Sequence, residues 1–237
     1  MAAGIALRHG ASALEGQHMP TLAIIHTTTA TVEPLKALAA ELIPGCAVVN
    51  FVDDSILPQL AANGGDVAAV APRVVQYARF AEQVGADVIL EACSSVGEAV
   101  AEARRAVGTP IVRIDEAMAD AAIASGVRIG VAATLATTLA PTQRLLEERA
   151  RAAGKAIALT PLLVADAYQL LMAGDREGHD AALSAALANL APEVDIVVLA
   201  QASMARILPA LPESQRSKFL TSPRLGMEQV RAFLERA

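Results

Sequence analysis

Two short segments carry side chains able to move a proton or hold an anion, and they stand at matching places in the chain. Cys93-Ser94-Ser95 follows the run D-V-I-L-E-A that begins at Asp87, and Gln201-Ala202-Ser203 follows D-I-V-V-L-A from Asp195. Aligned in this way, Cys93 falls on Gln201 and Ser95 on Ser203, 108 residues apart. A thiol just before a helix N-terminus is expected to have its thiolate favoured by the helix dipole, which makes Cys93 a candidate base or nucleophile. The structural alternative is a small buried core residue. Gln201 can donate and accept hydrogen bonds but cannot exchange a proton near neutral pH as a thiol does. If the register slips by two residues, Ser203 becomes the group opposite Cys93, and an unassisted hydroxyl is a poor base.

A second matched pair supports the alignment. T-L-A-I-I-H-T-T-T-A-T-V-E-P from Thr21 lies over R-I-G-V-A-A-T-L-A-T-T-L-A-P from Arg128, matching Thr27 to Thr134, Thr31 to Thr138 and Pro34 to Pro141 at a spacing of 107. Gly65-Asp66 and Gly174-Asp175 repeat at 109. Three matches in one order at nearly one spacing point to a duplicated unit, with two similar lobes facing each other across a cleft. Ligands of parallel sheets collect at the carboxyl ends of strands, where helix N-termini offer free N–H groups. Thr27, Ser94, Ser95, Thr134 and Thr137 then describe a polar cleft suited to a carboxylate held by N–H and hydroxyl donors.

Other residues leave two readings open. His26 ends the first strand beside the Thr27 loop and is either a substrate contact or a hydrogen-bonded structural histidine. Asp53 and Asp54 precede a helix and read as caps, although their loop is also placed to line the cleft, and Asp54 is carried as a binding candidate. Glu91 is a charge in an apolar strand, costly to bury unpaired, and is either an acid/base group or a strand-end side chain reaching water. Cys46 opens a strand at its amino end and reads as core. His9, His18 and His179 are scattered, and no Cys/His/Asp spacing suggests a metal site.

Short β-branched runs alternate with longer Ala- and Leu-rich stretches, the sequence form of βαβ units and parallel α/β sheets. Strands are predicted at 22–26, 47–51, 87–92, 111–114, 128–132, 155–160, 195–200 and 218–221. Helices are predicted at 32–42, 55–62, 66–84, 96–107, 116–125, 141–153, 165–172, 176–190, 204–208 and 224–235. Thr31, Ser95 and Ser203 stand where N-caps belong. The fold class expected is α/β: two Rossmann-like lobes with parallel sheets related by a pseudo-twofold. Lobe 1 is read as 20–115 plus 212–237 and lobe 2 as 116–211. Residues 1–19 lie outside the repeat, lack the order of charge and apolar run of a signal peptide, and are expected to be poorly ordered.

Bulk composition narrows the class. The 237 residues carry a net charge of −6 and only 3% aromatics, with no basic run, so nucleic acid is not an expected partner. Apolar residues reach 54% but are dispersed, with no run long enough to span a bilayer, so no membrane role is expected. Two cysteines cannot staple a chain this long, which makes a reducing cytoplasm the default. A homodimer would be unsurprising, as twofold assemblies are the commonest soluble oligomers.

A-D-V-I-L-E-A-C-S-S, with D-I-V-V-L-A-Q-A-S one repeat later and R-I-G-V-A-A-T-L-A-T-T between them, resembles the aspartate/glutamate racemase superfamily, which includes hydantoin racemases, maleate isomerases and arylmalonate decarboxylases. The resemblance runs from Pro20 nearly to the C-terminus. It implies two lobes about a pseudo-twofold, no organic cofactor and no metal. It also implies a pair of thiols working on opposite faces of the carbon beside a carboxylate, with Cys93 as the first. Gln201 stands where the second belongs, which puts symmetric two-thiol racemisation in question. The readings that remain are a racemase or isomerase acting on a small amino acid or related acid, a one-cysteine lyase or decarboxylase of malonate-like acids, and a non-catalytic small-acid-binding protein.

Overall fold

The computed structural model describes residues 19–236. The expected N-terminal extension therefore lies, Met19 apart, outside the described residues, as do His9 and His18. Strands β1 (Thr21–His26), β2 (Ala47–Val52), β3 (Val88–Glu91) and β4 (Ile111–Arg113) form a parallel sheet in the order β2-β1-β3-β4. Strands β5 (Arg128–Ala133), β6 (Ala158–Leu163), β7 (Ile196–Leu199) and β8 (Phe219–Thr221) form a second parallel sheet in the order β6-β5-β7-β8. The two orders are the same once each half is numbered from its own first strand.

Helices flank both sheets: α1 (Val32–Leu42), α2 (Ile56–Ala62), α3 (Ala71–Gln83), α4 (Val100–Ala106) and α5 (Glu116–Ser125), then α6 (Ala136–Ala152), α7 (Ala165–Met172), α8 (Arg176–Leu190), α9 (Glu213–Arg216) and α10 (Ser222–Leu234). Continuous apolar runs become strands here because both faces are covered. Leu22 and Ile24 pack with Leu35 and Ala39 of α1, while Ala23 and Ile25 point the other way, to Val75 and Ala78 of α3 and Val100 of α4.

The lobes exchange their last helices. Met118, Ala119 and Ala122 of α5, which follows β4, enter the core of the second sheet, and Met227 and Val230 of α10, which follows β8, enter that of the first. This corrects the boundary expected near Leu211. Residues 219–221 are not part of the first lobe but pair with β7, and the chain crosses back only at Ser222.

Symmetric details hold the strand starts and turns. Asp87 accepts a bond from Thr21 N at 2.7 Å, and Asp195 accepts from Val127 N and Arg128 N at 3.0 and 2.8 Å. Gly65 and Gly174 adopt φ of +87° and +84°, a region that costs other residues a Cβ clash. The aspartates after them cap the next turns, Asp66 Oδ1 accepting from Ala68 N and Asp175 Oδ1 from Gly178 N.

The predicted helices 66–84 and 96–107 are each split into a 3-10 segment and a shorter α-helix, 204–208 is part of a 3-10 segment, and α9 has no counterpart in the sequence reading; two further differences have a clear physical reason. The sixth strand is Ala158–Leu163 instead of 155–160, and Pro161 is tolerated within it because it sits on a sheet edge where no N–H is needed on the open side. Helix α6 starts at Ala136, five residues before Pro141, which is accommodated inside it, so Thr137 lies in a helical turn and not in a loop.

Candidate active site

A cleft of about 260 Å³ opens between the carboxyl ends of the two sheets. Its floor is made by the segments that follow β3 and β7, Ala92 to Ser95 and Ala200 to Ser203, and one side by Thr27, Thr28 and Thr31. Leu57 of α2, Leu135 and Thr138 at the start of α6, and Tyr168, Leu171 and Met172 of α7 complete the wall. Among the described residues that line it, none carries a charge.

Cys93 and Gln201 both line this cleft, and each is the residue before a 3-10 segment, Ser94–Ala99 and Ala202–Ala210 respectively. The cap positions are therefore theirs, not those of Ser95 and Ser203, which lie one residue inside each segment's start. Thr31 does precede α1, yet it makes no side-chain cap bond there.

The sulfur of Cys93 sits in opposing influences. Burial and the neighbouring Glu91 carboxyl push its pKa up to about 11, while Thr27, the Ser95 N–H and the Ser95 hydroxyl favour the thiolate. The dipole expectation fails for a physical reason: a short 3-10 segment supplies little field, and desolvation outweighs it. The resting group is a thiol. The Thr27 hydroxyl is buried without a partner of full hydrogen-bond geometry, so its proton is available to the sulfur or to a ligand. Ser95 Oγ lies 2.9 Å from Thr138 Oγ1, a contact that joins the lobes. When Ser95 donates to sulfur, Thr138 is the donor to Ser95.

Gln201 is held differently. Its Oε1 accepts from Thr134 N at 2.6 Å and from Thr134 Oγ1 at 2.9 Å. With the oxygen committed, the amide has its NH₂ donors left for a ligand. Thr134 thus stands behind Gln201 and off the cleft wall, and its sequence equivalent Thr27 attends Cys93.

The remaining candidates separate. Ser94 is buried in the floor, and Ser203 is exposed at its rim. His26 is fully buried away from the wall, with Nδ1 2.8 Å from Thr31 Oγ1 and Nε2 2.9 Å from Asn50 Oδ1. Burial lowers its pKa although Asn50 opposes this, so it is neutral and orients the Thr loop. Asp54 is exposed off the cleft; Asp53 instead accepts from Ser55, Arg73 and Tyr77. Thr137 faces a separate hollow with Gly65 and Arg144.

Behind Cys93 lies a buried set of ionisable side chains. Glu91 Oε1 accepts the Cys93 N–H at 2.7 Å, and its Oε2 is buried without a partner. Arg113, paired with Glu91 across β3 and β4, binds Asp115 through two bonds of 2.6 and 3.1 Å, all three side chains being buried. Gly97 makes room: a Cβ there would lie 2.2 Å from Arg113 Nε.

Sequence reading missed the wall from α7. Tyr168, Leu171 and Met172 have the i, i+3, i+4 spacing of one helix face, a signal that was present but indistinguishable from core packing. Among the described residues no group of three His, Cys, Asp or Glu could hold a metal, and no helix is long and apolar enough to cross a membrane.

Comparison with known proteins follows the same lines. A glutamate racemase isoform from Bacillus anthracis superposes with a TM-score of 0.70 at 16% identity, over 92% of this chain and 82% of that one. An aspartate racemase from Picrophilus torridus gives 0.69 at 15%, covering 92% and 94%, and an allantoin racemase from Klebsiella pneumoniae 0.67 at 19%, covering 91% and 88%. Curated proteins give no match. At these identities the structures establish the shared two-lobed α/β fold. The family model for Asp/Glu/hydantoin racemases matches residues 22–230, and the chain belongs to that family.

Proposed function

We propose that this protein is a cytoplasmic, cofactor-independent enzyme that moves a proton at the carbon beside a carboxylate, with Cys93 as the proton-carrying group. Racemisation or isomerisation of a small amino acid or related acid is the reading that family membership favours. The observation that carries it is Cys93 on the cleft floor beside hydroxyl and N–H donors. Ser94, Ser95, Ser203, the Thr27 hydroxyl and the Gln201 NH₂ would hold carboxylate and enolate oxygens, stabilising charge that develops only as a bond to carbon breaks. Leu57, Leu135, Leu171 and Met172 suit an apolar substituent, and the uncharged lining offers no cation for a second carboxylate.

Gln201 favours a second reading. An amide cannot take or give the proton on its face, and a resting thiol is a donor before it is a base. In a one-thiol lyase a malonate-like acid loses carbon dioxide, the bonding pair passes into an enolate, and the Cys93 S–H protonates the carbon. Water then returns the proton to sulfur.

Incubation with amino acids, hydantoins and malonates in heavy water tests both. Deuterium entry with inversion supports the racemase, and carbon dioxide release supports the lyase. Saturable binding with neither outcome would replace both readings with a small-acid binder.

A further inference from the structure

The second half of the molecule shows what the fold requires at this position, and it is not a carboxyl. Glu91 and Arg113 are register partners at the ends of β3 and β4; at the same register of β7 and β8 stand Leu199 and Thr221. Leu199 is fully buried in an apolar cluster with Val197 and Leu187. A leucine thus satisfies the sheet end behind Gln201, while behind Cys93 the chain buries an acid, an arginine and an aspartate at a desolvation cost. Buried ionisable groups cluster at functional sites, and the residue that Glu91 touches is Cys93, through the 2.7 Å bond from its N–H.

We propose that Glu91 is the positioning residue of Cys93: as a neutral acid it fixes the thiol's backbone, and once ionised it holds the thiol's proton in place. The inference rests on Cys93 being the proton carrier. Arg113 is bonded to Asp115 and offsets the shift only in part: burial, the largest cause, and the Asp115 carboxylate raise the Glu91 pKa to about 8 against the Arg113 guanidinium. Other charges nearby are engaged: Arg104 with Ile111 O and Glu116, Glu98 with Arg144, and Arg73 with Asp53. Beside it on β1 is Ile25, followed by His26, which Thr31 and Asn50 occupy. Helix α10 covers the opposite face of the sheet.

The test needs no substrate. Alkylation of Cys93 by iodoacetamide, followed by peptide mass spectrometry across pH 6–10, is compared between the natural protein and Glu91→Gln, whose amide oxygen keeps the bond to the Cys93 N–H. The profiles should superpose below about pH 7 and diverge above about pH 8, the variant reacting roughly tenfold faster near pH 9, one pKa unit in the thiol. Profiles that coincide throughout would overturn the proposal. Should Glu91→Gln not fold, Glu91→Leu installs the residue of the other half and is read in the same way. Independently, infrared difference spectra of the natural protein should show a protonated buried carboxyl at pH 7 that is lost above about pH 8; its absence at pH 7 also overturns the proposal. Loss of turnover in Cys93→Ser bears on the enzymatic reading alone, so the two can fail separately.

Discussion

The strand ends at Cys93 and Gln201 share strand order, register, a preceding apolar run and an attending threonine, yet they are built for different work. Behind Cys93 lie Glu91, Arg113 and Asp115; behind Gln201 lie Leu199 and Thr221. Thr134 ties the Gln201 oxygen down with two bonds, whereas the Thr27 hydroxyl is left without one. One half presents a thiol with a buried carboxyl bonded to its own N–H. The other presents a fixed hydrogen-bond donor. A duplicated fold supplies two equivalent positions, and the side chains behind each give them different surroundings.

The comparison breaks most sharply at Cys93. Replacing it with serine should lower turnover about 10²–10⁴-fold, the range of a general acid or base, while substrate binding is largely retained; a variant of normal rate would remove the thiol from the reaction. Gln201→Cys sharpens the comparison from the other side. If the amide is what makes the site one-sided, the second thiol should raise the share of inverted product in heavy water several-fold, read by chiral chromatography. Gly97→Ala drives a Cβ into the Arg113 guanidinium and should cost about 1–3 kcal/mol as overpacking, seen as a fall of several degrees in Tm.

Stability should also depend on pH through Glu91. Its carboxyl rises from 4.5 to about 8, burial being the largest cause, so the folded state holds the proton more tightly than the unfolded one. That contribution is complete below about pH 4.5 and is lost as pH rises through about 8. Thermal unfolding across this window should flatten in Glu91→Gln. The smallest effect belongs to a feature the halves share. Asp195, held at a pKa of about 2 chiefly by the Arg128 N–H, helps start β5 at the surface. Asp195→Asn should lower Tm less than Gly97→Ala does and leave turnover unchanged.

Much of this was legible from the chain. Strand runs such as 22–26 and 196–199 are continuously apolar because both faces of each sheet are covered, and the repeat placed Cys93, Gln201 and Ser203 in one cleft. Edges were harder. Pro161 reads as a strand breaker unless one knows that β6 is an edge, and Thr137 reads as loop because Pro141 conceals that α6 begins before it. Asp54 and His26 were placed by proximity in sequence, which does not tell a cleft from the layer behind it.

What the sequence determined was the pattern set by local chemistry: alternation of strand and helix, duplication, a thiol at one strand end and an amide at the other. What tertiary structure decided was protonation and reach. The field at Cys93 comes from burial and from a carboxyl aimed back at its own N–H; the wall of the cleft comes from a helix more than seventy residues away. Helix exchange between lobes, with β8 kept in the second sheet, is likewise a matter of packing. Local runs fix which element forms, but desolvation and long-range contact exist only once the chain has closed upon itself.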